Sequence, residues 1–296
     1  MKKYLTILQL ESYDILRFIN WLIRNIYTKK TEDKIELVYT TKIKLITLAS
    51  FVIGLLLTLY LFNLKVNILL SITIVFILYS QSYILIIIGT FLLKPLDYFL
   101  KYYEILIIKN KLSNCKNLKI VGITGSYGKT STKEILYQLI KSKFKTLKTP
   151  ESFNTIAGIK KTLDYELDST YEVFICEMSA YKKGDIKNIC KIVNPEYGIL
   201  TGLAKQHLDR FGSFDNIVNT KFELYEAIDN KRNIILNTNN LDISNEIKKR
   251  NIKESSEYIK ARNIVISKSG SEFEITYKNK DYKISTKLFG YSNIEN

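Results

Sequence analysis

The stretch Gly122-Ile-Thr-Gly-Ser-Tyr-Gly-Lys-Thr130 decides how this chain folds. It begins inside the apolar run Leu118 to Thr124, which reads as a strand, and leads into Ser131 to Lys143, which reads as an amphipathic helix. A strand, a glycine-rich turn and a helix opening on Lys-Thr make a cradle for nucleotide phosphates. Backbone N–H groups surround the anion, a lysine reaches its terminal phosphates, and the adjacent hydroxyl binds magnesium. Gly125, Ser126, Gly128 and Ser131 belong to the cradle, with Lys129 as the cation and Thr130 as the hydroxyl. The general phosphate-loop pattern has a further glycine five positions before Gly128. Ile123 stands there, and Gly122 comes one position too early.

Strand and helix patterns alternate downstream. Glu172 to Cys176, Tyr197 to Thr201 and Asn233 to Asn237 read as strands; Asp185 to Cys190 and Phe214 to Ile228 read as helices. Such alternation implies an α/β domain with a mainly parallel sheet. Asn263 to Ser267, Glu272 to Tyr277 and Asp281 to Ser285 read instead as a small antiparallel extension. Cys115, Cys176 and Cys190 lack metal-binding spacing and there is one histidine, so zinc is not expected. Lys and Arg number 44 against 29 Asp and Glu, but they are spread along the chain without an aromatic-basic patch. Nucleic acid is therefore not an expected partner.

The first third is of another kind. Leu45 to Leu64 is uncharged throughout, and so is Asn67 to Leu93. About 20 apolar residues cross a bilayer as a helix, so two transmembrane helices in a hairpin are expected, turning at Lys65-Val66. Lys29, Lys30, Lys34, Lys42 and Lys44 before the hairpin, with Lys94 and Lys101 after it, put both flanks on the cytoplasmic side. A cleaved signal peptide would have its apolar core earlier and shorter. Leu5, Leu8, Tyr13, Leu16, Phe18, Trp21 and Leu22 recur at roughly helical spacing, a helix that lies on the membrane or packs on protein; Asp97 to Ile108 reads as a second one. The expected layout is thus an amphipathic segment over 1–44, a membrane hairpin over 45–93, a linker helix over 94–115 and an ATP-binding domain over 116–296. The expected location is the cell membrane, with that domain in the cytoplasm.

Further motifs resemble one family. Thr149-Pro-Glu-Ser-Phe-Asn154 precedes Gly158-Ile159, and Cys176-Glu-Met-Ser-Ala180 precedes Lys183-Gly-Asp-Ile186. Gln206-His-Leu-Asp-Arg-Phe-Gly-Ser213 is followed by Lys221, then Ile235-Leu-Asn-Thr-Asn-Asn240 and Leu288-Phe-Gly-Tyr-Ser-Asn293. With the G-x-T-G-x-x-G-K-T loop, these resemble the central domain of the Mur ligases, most of all the branch that adds D-alanyl-D-alanine to the peptidoglycan precursor. The resemblance implies a phosphate-loop fold and an ATP-dependent amide ligase that activates a carboxylate as acyl phosphate. It implies a muropeptide precursor and an amine as substrates. Two magnesium ions are implied, one held by Thr130 and Glu177, the other by His207 and a carbamylated Lys221. Lys129, His207 and Lys221 would be the catalytic groups, Asn154 would touch substrate, and Asn237 and Asn293 would touch the nucleotide.

Three positions depart from the family pattern: Tyr127 and Gly202 stand where many members have Asn, and Ser292 replaces a His. The hairpin occupies the place of the family's uridine-nucleotide domain, and Asn296 falls where its C-terminal domain would begin. A fragment, or a separate chain supplying that domain, is expected. Two other functions stay open: a ligase adding glutamate or another amino acid to a different acceptor, and a non-catalytic membrane nucleotide-binding protein.

Overall fold

The structure is a computed structural model, and it describes every residue except 12, 26–35, 65–66, 81, 152, 254, 257–258 and 296. The chain divides into two compact units, Met1–Lys101 and Tyr102–Asn296.

The first unit holds α1 (Lys2–Leu10), α2 (Ile15–Asn25), α3 (Thr41–Asn63), α4 (Ile68–Ser80), α5 (Ser82–Leu92) and the start of α6 (Lys94–Ser113). The N-terminal amphipathic pattern is two helices rather than one. Tyr13 takes a left-handed φ of 62°. The Asp14 carboxylate then accepts the N–H groups of Leu16 and Arg17, starting a new helix. Leu5, Leu8, Phe18 and Leu22 pack with Ile43 and Ile46 of α3 and Ile86 of α5, so this face is covered by protein. Helix α3 meets α5 through small residues: the Ser50 hydroxyl donates to Leu85 O at 3.2 Å beside Gly89.

Among the described residues, α3 is the one single helix long and apolar enough to cross a membrane, with a mean hydropathy of 2.4. The expected second crossing is a bent pair. Ile68–Ile77 and Ser82–Leu92 diverge by 76°. The expectation of two straight transmembrane helices is corrected accordingly: one span is present among the described residues, and the second stretch is a bent pair. The turn Lys65-Val66 and the cations Lys29, Lys30 and Lys34 lie outside the described residues.

The second unit is built on a five-stranded sheet. Its elements are β1 (Lys119–Thr124), α7 (Lys129–Ile140), β2 (Thr146–Lys148), α8 (Ile156–Glu166), β3 (Val173–Glu177), α9 (Asp185–Val193), β4 (Tyr197–Leu200), α10 (Leu208–Phe211), α11 (Phe214–Ala227), β5 (Ile234–Leu236) and α12 (Leu241–Lys249). The strand order is β2-β3-β1-β4-β5, and every neighbouring pair is parallel. Parallel strands are covered on both faces, which is why Val173–Glu177 is buried at every position. Phe174, Cys176, Leu200, Phe222, Leu224 and Ile234 lie in the larger core; Ile123 and Ile175 face the smaller one with Leu136 and Ile140 of α7.

The antiparallel extension is a second sheet, β6 (Arg262–Ser267), β7 (Gly270–Tyr277) and β8 (Lys280–Thr286), followed by α13 (Tyr291–Glu295). Lys278 and Asn279 both have positive φ in the two-residue turn between β7 and β8, the geometry that matches strand twist in tight hairpins.

Candidate functional site

The phosphate loop leaves the C-terminal end of central strand β1, between β3 and β4, and runs into α7. Open parallel sheets present ligands at this edge. Two glycines are required for different reasons. Gly128 has φ 79° at the N-terminus of α7, a conformation a side chain disfavours. At Gly125 a Cβ would lie 2.1 Å from the Thr201 hydroxyl, so only glycine lets the loop lie against β4. Ser131 lies in the first turn of α7, and Lys129 Nζ folds back over the loop to the carbonyls of Gly125, 2.9 Å, and Ser126, 3.3 Å.

One flank of the loop is a buried carboxylate with its partners in place. Glu177, the last residue of β3, is 1% exposed. Its Oε2 accepts from the Thr130 hydroxyl at 3.0 Å and pairs with Lys133 Nζ at 3.1 Å. Its Oε1 accepts from Asn154 Nδ2 at 3.0 Å, and its N–H donates to the Thr149 hydroxyl. Lys133 is fully buried and also donates to the Glu151 carbonyl. A buried charge is tolerated when it is paired and hydrogen-bonded, and each member of this cluster is.

The other flank is a cavity of about 50 Å³, where Gly125, Ser126 and Lys129 face His207 and Lys221. Tyr181 lines it too and meets the His207 ring edge-on at 5.9 Å. His207 stands exposed at the start of α10 with φ 54°. Lys221 is only 4% exposed on the inner face of α11. Burial pulls its ammonium down from 10.5 to about 7, Lys129 pushes the same way, and Asp185 and Glu223 oppose them. Burial also lowers Lys129, against the raising pull of Glu177.

The structure thus gathers Thr130, Glu177 and Asn154 on one flank, and Lys129, His207 and Lys221 on the other. Asn237 is elsewhere: its Nδ2 donates to Thr201 O at 2.8 Å and its Oδ1 accepts from Asn239 N–H, closing the turn after β5. Asn293 lies in α13 and donates to Phe289 O. Lys133 is the residue the sequence reading missed. Its signal was its place in a helical stripe with Leu136, Tyr137 and Ile140, a lysine where an apolar residue belongs.

Comparison with known proteins decides the family. The model of the Mur ligase middle domain matches residues 123–296. The chain belongs to the Mur ligase family. Among its relatives, the UDP-N-acetylmuramoyl-tripeptide–D-alanyl-D-alanine ligase of Mycobacterium leprae is 39% identical over 120 residues, 40% of this chain and 23% of that protein. The ligase of the same name from Buchnera aphidicola subsp. Baizongia pistaciae is 30% identical over 189 residues, 61% of this chain and 40% of that protein. The fold matches MurF of Acinetobacter baumannii with a TM-score of 0.60 at 23% identity, over 66% of this chain and 44% of that one. It also matches the MurF ligase of Thermotoga maritima in complex with ADP, TM-score 0.55 at 26% identity, over 66% and 47%. In each case the match spans less than half of the relative's length.

The donor set suits the cofactors that Mur ligases use, ATP and Mg2+. Magnesium takes oxygen ligands in small number and keeps several waters. Thr130 and Glu177 put a hydroxyl and a carboxylate oxygen 3.0 Å apart beside the loop. Among the described residues no three His, Cys, Asp or Glu converge as a metal cage. A second ion beside His207 would need an oxygen ligand from Lys221, which a carbamate supplies and an ammonium does not.

Proposed function

We propose that the chain is the membrane-held, ATP-binding part of an amide ligase of peptidoglycan precursor synthesis, with D-alanyl-D-alanine as the amine. The two-sided phosphate loop carries this reading: Lys129 shares a cavity with His207 and Lys221, while its neighbour Thr130 meets Glu177. Lys129 and the loop N–H groups would hold the terminal phosphate. A carboxylate oxygen of the muropeptide attacks the γ-phosphorus, the bond to ADP breaks, and an acyl phosphate forms. The amine nitrogen then attacks the acyl carbon, loses a proton and expels inorganic phosphate.

Two anions must meet in the first step, so the site must supply positive charge to the developing transition state. Magnesium supplies part of it. Thr130 and Glu177 would hold one ion, and His207 with carbamylated Lys221 a second. A neutral amine is what combines with carbon dioxide, and a lysine lowered to about 7 offers that form near neutral pH. Asn154, tied to Glu177, would touch the muropeptide, and Asn237 and Asn293 would touch the nucleoside once released from their local hydrogen bonds.

The membrane part rests on α3, whose most apolar window is only 17% buried and which exposes Leu48, Phe51, Leu55, Leu59 and Phe62. Water would penalise that surface and lipid would not. The bent α4–α5 pair would be a broken second span, giving a multi-pass anchor with the ligase part in the cytoplasm.

The test uses full-length protein in detergent with UDP-linked muramoyl tripeptide, ATP and either D-alanyl-D-alanine or glutamate. Phosphate release that depends on D-alanyl-D-alanine supports the reading. Release with glutamate alone makes glutamate the amine, and nucleotide binding without amine-dependent release replaces the reading with a non-catalytic role. Vesicle flotation tests the anchor: protein that stays at the bottom of the gradient overturns it.

A further inference from the structure

The phosphate loop is clamped to the segment after β4. Ser126 N–H donates to Gly202 O at 2.7 Å, the Ser126 hydroxyl to Ala204 O at 3.2 Å, and the Thr201 hydroxyl to Tyr127 O. The Tyr127 ring crosses Gly202. A Cβ at Gly202 would lie 2.4 Å from Tyr127 Cζ and 2.7 Å from its hydroxyl oxygen, so the ring fills the space a side chain would need. Gly202 has no left-handed φ, so glycine is used there for room and not for backbone freedom. Beyond Gly202 the Tyr127 hydroxyl accepts from Asn240 Nδ2 at 2.9 Å. Asn240 also donates to Leu203 O and caps α12 through Ile243 N–H. The ring therefore spans from the loop, across the end of β4, to the start of α12, and Tyr127 stays 37% exposed on this ligand-binding edge.

We propose that Tyr127 is a nucleotide-positioning residue that works as a pair with Gly202: the ring seated on the glycine and fastened to Asn240 holds the phosphate loop in its binding shape. A side chain at 202 and the ring in this seat exclude each other, so the glycine and the ring's position depend on one another. The inference rests on the ATP reading above. A loop whose N–H groups must converge on phosphates loses affinity when its conformation is no longer pre-set. Removing the ring's seat should loosen the loop as much as removing the ring, and doing both should add little.

The experiment measures ADP and ATP affinity, with magnesium, for the full chain in detergent and for Gly202→Ala, Tyr127→Ala, their double variant and Tyr127→Phe. Thermal unfolding of each without nucleotide reports purely structural loss. Gly202→Ala should weaken nucleotide binding about tenfold beside Tyr127 and less than about twofold in the Tyr127→Ala background, a coupling in the range for contacting residues. Tyr127→Phe keeps the seated ring and should retain most of the affinity. Equal effects of Gly202→Ala in both backgrounds, or affinity that merely follows unfolding temperature, would overturn the inference and leave the ATP reading intact. An unchanged chain that binds neither nucleotide would overturn both.

Discussion

The two flanks of the phosphate loop are built on opposite plans. On the β3 side, Glu177 arrives with all its partners: Thr130, Lys133 and Asn154 on its oxygens and Thr149 on its N–H. On the β4 side, Lys221 is buried beside a second cation, Lys129, across a cavity from exposed His207. The first flank is a closed cluster in which each charged group has a partner. The second is a buried amine held near neutrality by desolvation, an arrangement that costs stability and that a reaction or a ligand relieves. One loop thus borders a carboxylate whose charge is matched on one side and a lysine whose charge is opposed by burial on the other.

Breaking the closed flank should have the largest effect. Glu177→Ala leaves Lys133 buried without its carboxylate and should cost about 3–5 kcal/mol in a urea unfolding titration. Lys133→Met should cost a comparable amount, and the double variant should recover part of the loss; additive losses would mean the two do not act as a pair.

The strained flank should show itself through pH. Folded Lys221 releases its proton near pH 7, whereas the unfolded chain keeps it to about its ordinary 10.5. Between those values the unfolded state binds the extra proton, so stability from this group rises with pH, by at most about 1.4 kcal/mol per pH unit. Urea titrations at pH 7 and pH 9 should show that rise, and Lys221→Met should flatten it. The smallest effect is expected at His207, which is exposed: His207→Ala should change stability by less than about 0.5 kcal/mol while reducing ligation. A large stability loss there would assign His207 to the fold instead.

How much of this was legible in the sequence differs by region for the same physical reason. The loop is a local pattern, and Gly125, Gly128, Lys129 and Thr130 announce it without help from distant residues. Glu177 was legible as a strand-end carboxylate, but its partnership with Lys133 was not, because the contact crosses from α7 to β3 and leaves no spacing to read. Helix α12 was missed although Asn240 caps it and Lys248 and Lys249 close it. Absence of charge over Asn67 to Leu93 concealed a bend, because a charge count carries no information on helix direction. The paired departures Tyr127 and Gly202 were visible singly, and only the structure joins them.

Both flanks matter only if the loop binds nucleotide phosphates between them. Titration of magnesium-ATP into the full chain and into Lys129→Ala, read by calorimetry, tests it most directly. Saturable binding to the unchanged chain that falls at least about a hundredfold in Lys129→Ala is the expected result, as befits loss of a charge-assisted phosphate contact. No binding to the unchanged chain, or equal binding to both, would contradict the account.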